Sequence, residues 1–153
     1  LVDYAHTPDA LVNVLQGLRP MVPGRLIRVF GAGGNRDAGK RPHMGAAVER
    51  YADIAVVTSD NPRTEVPEEI VAAVVSGMSA DKARIVEVDR TRAIQKAIAV
   101  ATPDDLVLIA GKGHETYQVI GTTKLPFDDR LVAHEALIEL ARSEGSFAPG
   151  GAV

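Results

Sequence analysis

The sequence predicts an α/β fold, an open and mainly parallel sheet flanked by helices, and three observations carry that expectation. Short apolar runs alternate with stretches of helical periodicity along most of the chain. The runs are close to continuously apolar, as strands buried on both faces are. Glycine-rich or turn-forming segments follow several of the runs, and so fall at the carboxyl ends of the strands, where ligands bind in open α/β sheets.

The elements follow in order. Leu1-Val2-Asp3-Tyr4 is strand-like, with no initiator Met and no turn or cap ahead of it, so the chain reads as a domain cut from a longer polypeptide. Thr7-Pro8-Asp9 supplies an N-cap, a proline at the first helical position and an early acid, and Leu11, Val14, Leu15 and Leu18 share one face of the helix that follows. Leu26 to Phe30 is a strand, Gly31-Ala32-Gly33-Gly34 its turn, and Met44, Val48 and Tyr51 the buried stripe of a helix placed after Pro42. Ile54 to Val57 is the next strand, and Pro67-Glu68-Glu69 opens a helix with Ile70, Val71, Val74 and Met78 inward. Arg84 to Val88 is a strand, Asp89 caps a helix carrying Ile94, Ala97, Ile98 and Ala101, and Leu106 to Ala110 is a strand again.

After Gly111 the pattern changes. Tyr117 to Ile120 and Lys124 to Phe127, joined by Gly121-Thr122-Thr123, predict a β-hairpin at the sheet edge near the C-terminus. A last helix runs from about Asp129 with Leu131, Leu137 and Leu140 expected inward, and residues 146–153 read as a disordered Gly/Pro/Ala tail.

Composition bounds the function. At 153 residues, 46% hydrophobic and 24% charged, the chain fits one globular domain with a full core. A net charge of -3 argues against a general nucleic-acid or membrane surface. The lack of cysteine excludes disulfides, thiolate metal sites and a Cys nucleophile, and fits a cytoplasmic location. No run approaches the about 18 apolar residues of a membrane span. The histidines and carboxylates show no metal-site spacing.

Three strand-end loops carry the chemistry. Asp60-Asn61-Pro62-Arg63 brings an acid, an amide and a guanidinium to the start of a helix, equipment suited to a carboxylate, although Asp and Asn before Pro also make plain turns. Gly111-Lys112-Gly113-His114-Glu115 adds exposed backbone N–H groups, a flexible cation and an acid suited to an ammonium group. Gly34 to Arg41 has the glycine and lysine spacing of a phosphate loop, but Arg41 stands where Mg²⁺ needs a Ser or Thr hydroxyl, and Arg36 where a dinucleotide loop needs its third glycine. Arg36, Lys40 and Arg41 still give this turn more positive charge than a turn needs. Two guanidinium forks and Glu115 together match a compound with two carboxylates and two amines. His114 beside Glu115 reads either as a proton acceptor or as an anchoring group, His6 as a ligand contact, and His43 and His134 as surface residues.

Four ordered segments then carry a resemblance: Asp3-Tyr4-Ala5-His6-Thr7-Pro8-Asp9-Ala10, Gly33-Gly34-Asn35-Arg36-Asp37 with Gly39-Lys40-Arg41-Pro42, Asp60-Asn61-Pro62-Arg63, and Gly111-Lys112-Gly113-His114-Glu115. From Val2 to about Ala141 the chain resembles the C-terminal domain of the Mur ligase family, in its diaminopimelate-adding, MurE-type branch. The resemblance implies a Rossmann-like domain over residues 1–145 that docks on a central ATPase domain, with a further N-terminal domain for the UDP moiety, neither of which is in this sequence. It implies a full-length enzyme in which ATP, with Mg²⁺ held mainly by the central domain, converts the D-glutamate carboxylate of UDP-MurNAc-L-Ala-D-Glu to an acyl phosphate. The amine of meso-diaminopimelate then attacks to give an amide, ADP and phosphate in peptidoglycan precursor synthesis.

Carried over residue by residue, the amino-acid site falls on Arg36, Asp60, Asn61, Pro62, Arg63, Gly111 and Glu115. Arg63 marks the diaminopimelate branch, since lysine has no second carboxylate to bind. Asp3 and His6 match the interdomain segment near the nucleotide. The fragment alone is expected to be inactive. The alternatives are a lysine-adding or folylpolyglutamate-type ligase domain of the same superfamily, or a non-enzymatic module for small anions.

Overall fold

The structure, a computed structural model, describes residues 1–145, so the expected tail 146–153 lies outside the described residues. Five strands form one sheet: β1 (Val2–Asp3), β2 (Leu26–Phe30), β3 (Ile54–Val57), β4 (Arg84–Val86) and β5 (Leu106–Ala110). Their order is β1-β5-β2-β3-β4, every neighbouring pair is parallel, and β2 lies at the centre. The helices are α1 (Pro8–Leu18), α2 (Lys40–Tyr51), α3 (Pro67–Val75), α4 (Arg90–Val100) and α5 (Asp129–Glu144).

Alternation along β2 divides the core into two layers. Leu26 and Phe30 pack with Leu11 and Leu15 of α1, Met44 and Val48 of α2, and Val71 and Val74 of α3. Ile27 and Val29 face the other way, onto Ile94 and Ala97 of α4 and Ala136 of α5. Leu11 and Leu15 are wholly buried, and burial of this kind stabilises by about 1.5–3 kcal/mol per side chain. The middle of β2 breaks the apolar rule: Arg28 is fully buried, and its three guanidinium nitrogens find no hydrogen-bond partner among the described residues.

Local chemistry sets the helix starts. Thr7, Asp89 and Asp128 each cap a helix by accepting a backbone N–H. The helix α2 starts at Lys40 rather than after Pro42. Proline is tolerated in a first turn because its missing N–H would have had no partner inside the helix.

Three further expectations are corrected. The strand β4 ends at Val86, short of Val88, although the segment beyond it stays bonded alongside the end of β3, the Glu87 N–H donating to Val57 O and Val88 O accepting the Ser59 N–H. The hairpin, β6 (Tyr117–Ile120) with β7 (Thr123–Pro126), is a separate two-stranded antiparallel sheet and not an edge of the main one. An isolated β-bridge between Ile120 and Arg63, in the loop after β3, ties its backbone to the main body. In α5, Leu131 and Leu137 point outward at 63% and 54% exposure. Its inner stripe is Asp129, Val132, Ala133, Ala136 and Leu140, a spacing set by helical phase and not by side-chain size.

Candidate functional site

The carboxyl ends of β1, β2, β3 and β5 lead into loops that surround one cleft of about 500 Å³. Arg36, Asp60, Asn61, Arg63, Gly111 and Glu115 all line it. His6 and Tyr4 stand at the same cleft on the loop after β1. Pro62 is buried behind the wall, its carbonyl accepting the Glu65 N–H. Asp3 turns back on its own loop, with Oδ2 accepting the Ala5 N–H at 2.9 Å. His114 is exposed and stacks on Tyr4, ring centroids 5.7 Å apart.

The loop after β3 is held from two sides. The hairpin grips it: Gln118 Nε2 donates to Asp60 O at 2.6 Å, the Arg63 N–H donates to Val119 O at 3.0 Å, and the Gly121 N–H donates to Arg63 O at 2.6 Å. The loop after β2 closes on its other side through a Gly34 N–H bond to Asn61 O at 2.8 Å. A side chain at Gly34 would put Cβ 1.8 Å from Pro62 O, so only glycine lets the two backbones meet. Asn35 and Arg63, both non-glycine, adopt left-handed φ values of 52° and 53°. Such backbone persists where its surroundings over-determine it, and it clusters at binding sites. The Arg63 guanidinium gives one bond to Gly34 O at 2.7 Å, and its other N–H groups have no acceptor among the described residues.

The cations separate into two classes. Arg36 is exposed at the cleft with no protein acceptor among the described residues. Arg41 is buried, donating to Gly33 O and through two nitrogens to Glu65. Those Arg41 bonds, helped by the Asn35 N–H, hold the Glu65 carboxyl below its ordinary range. The backbone N–H groups of Gly34, Asn35, Gly39, Lys40 and Arg41 all donate within the protein, so this loop does not offer them to a phosphate.

Lys112 corrects a sequence expectation. The ammonium expected to be flexible is wholly buried, donates to Asn61 Oδ1 at 2.8 Å and Tyr117 O at 2.9 Å, and lies 3.2 Å from Asp60 Oδ1. That last contact is an ion pair without hydrogen-bond alignment, so Asp60 Oδ1 has no hydrogen bond of its own. Burial draws the Lys112 pKa down, and Asp60 opposes the shift.

Beneath the cleft lies a pair that the sequence reading did not identify. Arg90 and Asp129 are fully buried and joined by two bonds of 2.8 and 2.7 Å. Arg90 also donates to Ser59 O and Ala110 O, the backbone that follows β3 and ends β5. Burial disfavours the Arg90 charge, but the bonds to Asp129 outweigh that and its pKa rises. The signal was present: an Arg in the first turn of α4 opposes the helix dipole, and Asp128 already caps α5 without help from Asp129.

Among the described residues no three His, Asp or Glu side chains are grouped as metal ligands would be. No helix of the described residues is long and apolar enough to cross a membrane.

Residues 1–113 match the family model described as Mur ligase, glutamate ligase domain. A UDP-N-acetylmuramoyl-L-alanyl-D-glutamate–2,6-diaminopimelate ligase of Synechocystis sp. is 61% identical over 138 residues, 90% of this chain and 27% of the relative. A protein of the same name from Synechococcus sp. is 62% identical over 90% of this chain and 28% of its own length. A solved structure of a ligase bearing that name superposes with a TM-score of 0.87 at 45% identity, covering 91% of this chain and 29% of that one. The chain thus spans under a third of the relatives it matches.

Proposed function

Because the chain belongs to the Mur ligase glutamate ligase domain family, we propose that residues 1–145 are the C-terminal, amino-acid-binding domain of a longer cytoplasmic ligase. That enzyme joins meso-diaminopimelate to UDP-MurNAc-L-Ala-D-Glu at the expense of ATP, and the domain docks on a central ATPase domain of the same chain. The observation that carries this reading is the composition of one cleft: Arg63, Asn61, Asp60 and Glu115, with Arg36 on the loop after β2. Two guanidinium groups suit two carboxylates, and two carboxylates suit two ammonium groups.

In this reading the domain delivers the nucleophile. It holds both ends of the amino acid, so that one amine meets the activated D-glutamate carboxyl of the other substrate. An amide forms, and ADP and phosphate leave. Alignment of this kind contributes up to ~7–11 kcal/mol in well-oriented reactions. Closure over the cleft keeps water from the activated acyl group. The residues present do not fit an ATP–Mg²⁺ cradle: the backbone N–H groups of Gly34, Asn35, Gly39, Lys40 and Arg41 are committed internally and no three metal-ligating side chains are grouped among the described residues. Nucleotide and metal are therefore assigned to the central domain, with His6 and Asp3 on the side of this domain that approaches them.

A lysine-adding enzyme would leave the Arg63 fork without a carboxylate, which disfavours that alternative. The test is diaminopimelate-dependent ADP release by the full-length protein given UDP-MurNAc-L-Ala-D-Glu. Release with diaminopimelate and little with lysine is expected. Equal rates with the two amino acids would overturn the assignment of substrate.

A further inference from the structure

Lys112 is a buried charged group of the cleft loops that the proposed chemistry leaves unused. Its ammonium carries three donors and no acceptor, and it reaches Asn61 Oδ1 at 2.8 Å. The same oxygen accepts the Val119 N–H at 2.9 Å, from a second group that can only donate. A carboxamide turned end for end would set its NH₂ against both donors, inside a wall where Lys112 is 0% exposed and Asn61 only 7%. The hydrogen-bond network therefore assigns one orientation, with Oδ1 inward and Nδ2 outward. Asn61 lines the cleft, and its Nδ2 meets no acceptor among the described residues.

We infer that Lys112 is a positioning residue that locks the Asn61 amide with its N–H face toward the cleft, so that this point of the wall takes a carboxylate or carbonyl oxygen of the ligand and turns away an ammonium group. The inference rests on the amino-acid-binding reading and deepens it by assigning polarity along the wall. Lys112 lies 3.2 Å from Asp60 and 4.0 Å from Glu115, the two acids left to read ammonium groups. One buried cation thus sets the donor face of Asn61.

Asn61→Asp is the sharpest variant, because its Oδ1 keeps both inward bonds while an acceptor replaces the outward Nδ2. In the full-length protein, the KM for diaminopimelate is expected to rise at least about 30-fold, from loss of a charged hydrogen bond and new repulsion. The KM for ATP should change less than about twofold, because the amide takes no part in nucleotide binding under this reading. Lys112→Met should raise the amino-acid KM about tenfold alone, but less than about twofold when added to Asn61→Ala, since it acts through that amide.

A diaminopimelate KM within twofold of wild type for Asn61→Asp would overturn the inference. So would an equal Lys112→Met effect in both backgrounds, which is what a merely structural lysine gives. A neutron structure decides the polarity without any activity: deuterons on the outward atom of Asn61 support it, and deuterons facing Lys112 refute it. Wild-type protein with no diaminopimelate-dependent turnover would instead defeat the functional reading, while the deuteron positions still decide the orientation of Asn61.

Discussion

The two walls of the cleft are built differently. On one side, Asp60, Asn61, Lys112 and Glu115 sit in a largely buried network tied to the hairpin, with Arg90 and Asp129 bracing the strand ends below. On the other, Arg36, Asp37 and Lys40 stand exposed on the loop after β2. That loop is stitched to the loop after β3 through Gly34, Asn35 and Arg41, which bond to Asn61, Arg63, Thr64 and Glu65. The difference teaches a division of work. Under the proposed function, the pre-organised wall fixes which ligand is read, because its groups lose little freedom on binding, whereas the open wall must order itself around the ligand and contributes less per contact.

The largest effect should come from removing the brace. Asp129→Ala leaves Arg90 charged, buried and unpaired, and should lower unfolding free energy by about 3–5 kcal/mol in urea titrations. A loss below about 1 kcal/mol would mean that the fixed wall does not depend on the pair. Next, Arg63→Ala in the full-length enzyme should raise the diaminopimelate KM by the ~1.5–3 kcal/mol of a charged hydrogen bond, with ATP affinity little changed. Arg36→Ala, on the open wall, should cost nearer ~1 kcal/mol in the same assay, as exposed ion pairs do. If Arg36 cost more than Arg63, the contrast between the walls would be reversed.

The smallest effect concerns the stitch. Bonds from Arg41 hold the Glu65 pKa below the ordinary value of a glutamate carboxyl in the folded protein. Its stabilising contribution is therefore present above that value and disappears as pH falls through the folded pKa. Glu65→Gln should flatten the acid limb of a melting-temperature profile, and an unchanged limb would show that the clasp carries no weight.

Much of this was legible in the residues. Strand positions, the parallel sheet they imply and the three loops at the strand ends follow from apolar runs ended by Gly31, Ser59 and Gly111, because both signals are local. What escaped is non-local. Lys112 reads as a flexible cation until the fold brings Asn61 and Tyr117, distant by 51 and 5 residues, onto its ammonium. Arg90 and Asp129 lie 39 residues apart and each looks like an ordinary helix-end charge. The hairpin was recognisable from its turn, but its seat was not, since the bonds that fix it run to backbone atoms at Asp60 and Arg63 and to the Asn61 side chain. In α5 the leucines drew the eye by size while the helical phase ran through Asp129 and Ala136.

Arg28 has a practical consequence. Burial lowers its pKa to about 10, which still leaves it cationic at neutral pH in the middle of the central strand. A methionine of similar length there should make the scaffold hardier, visible as a higher melting temperature, and should leave amino-acid selection alone because the change is in the core and outside the cleft. The chain thus offers protein engineers a reinforcement point separate from its proposed recognition surface.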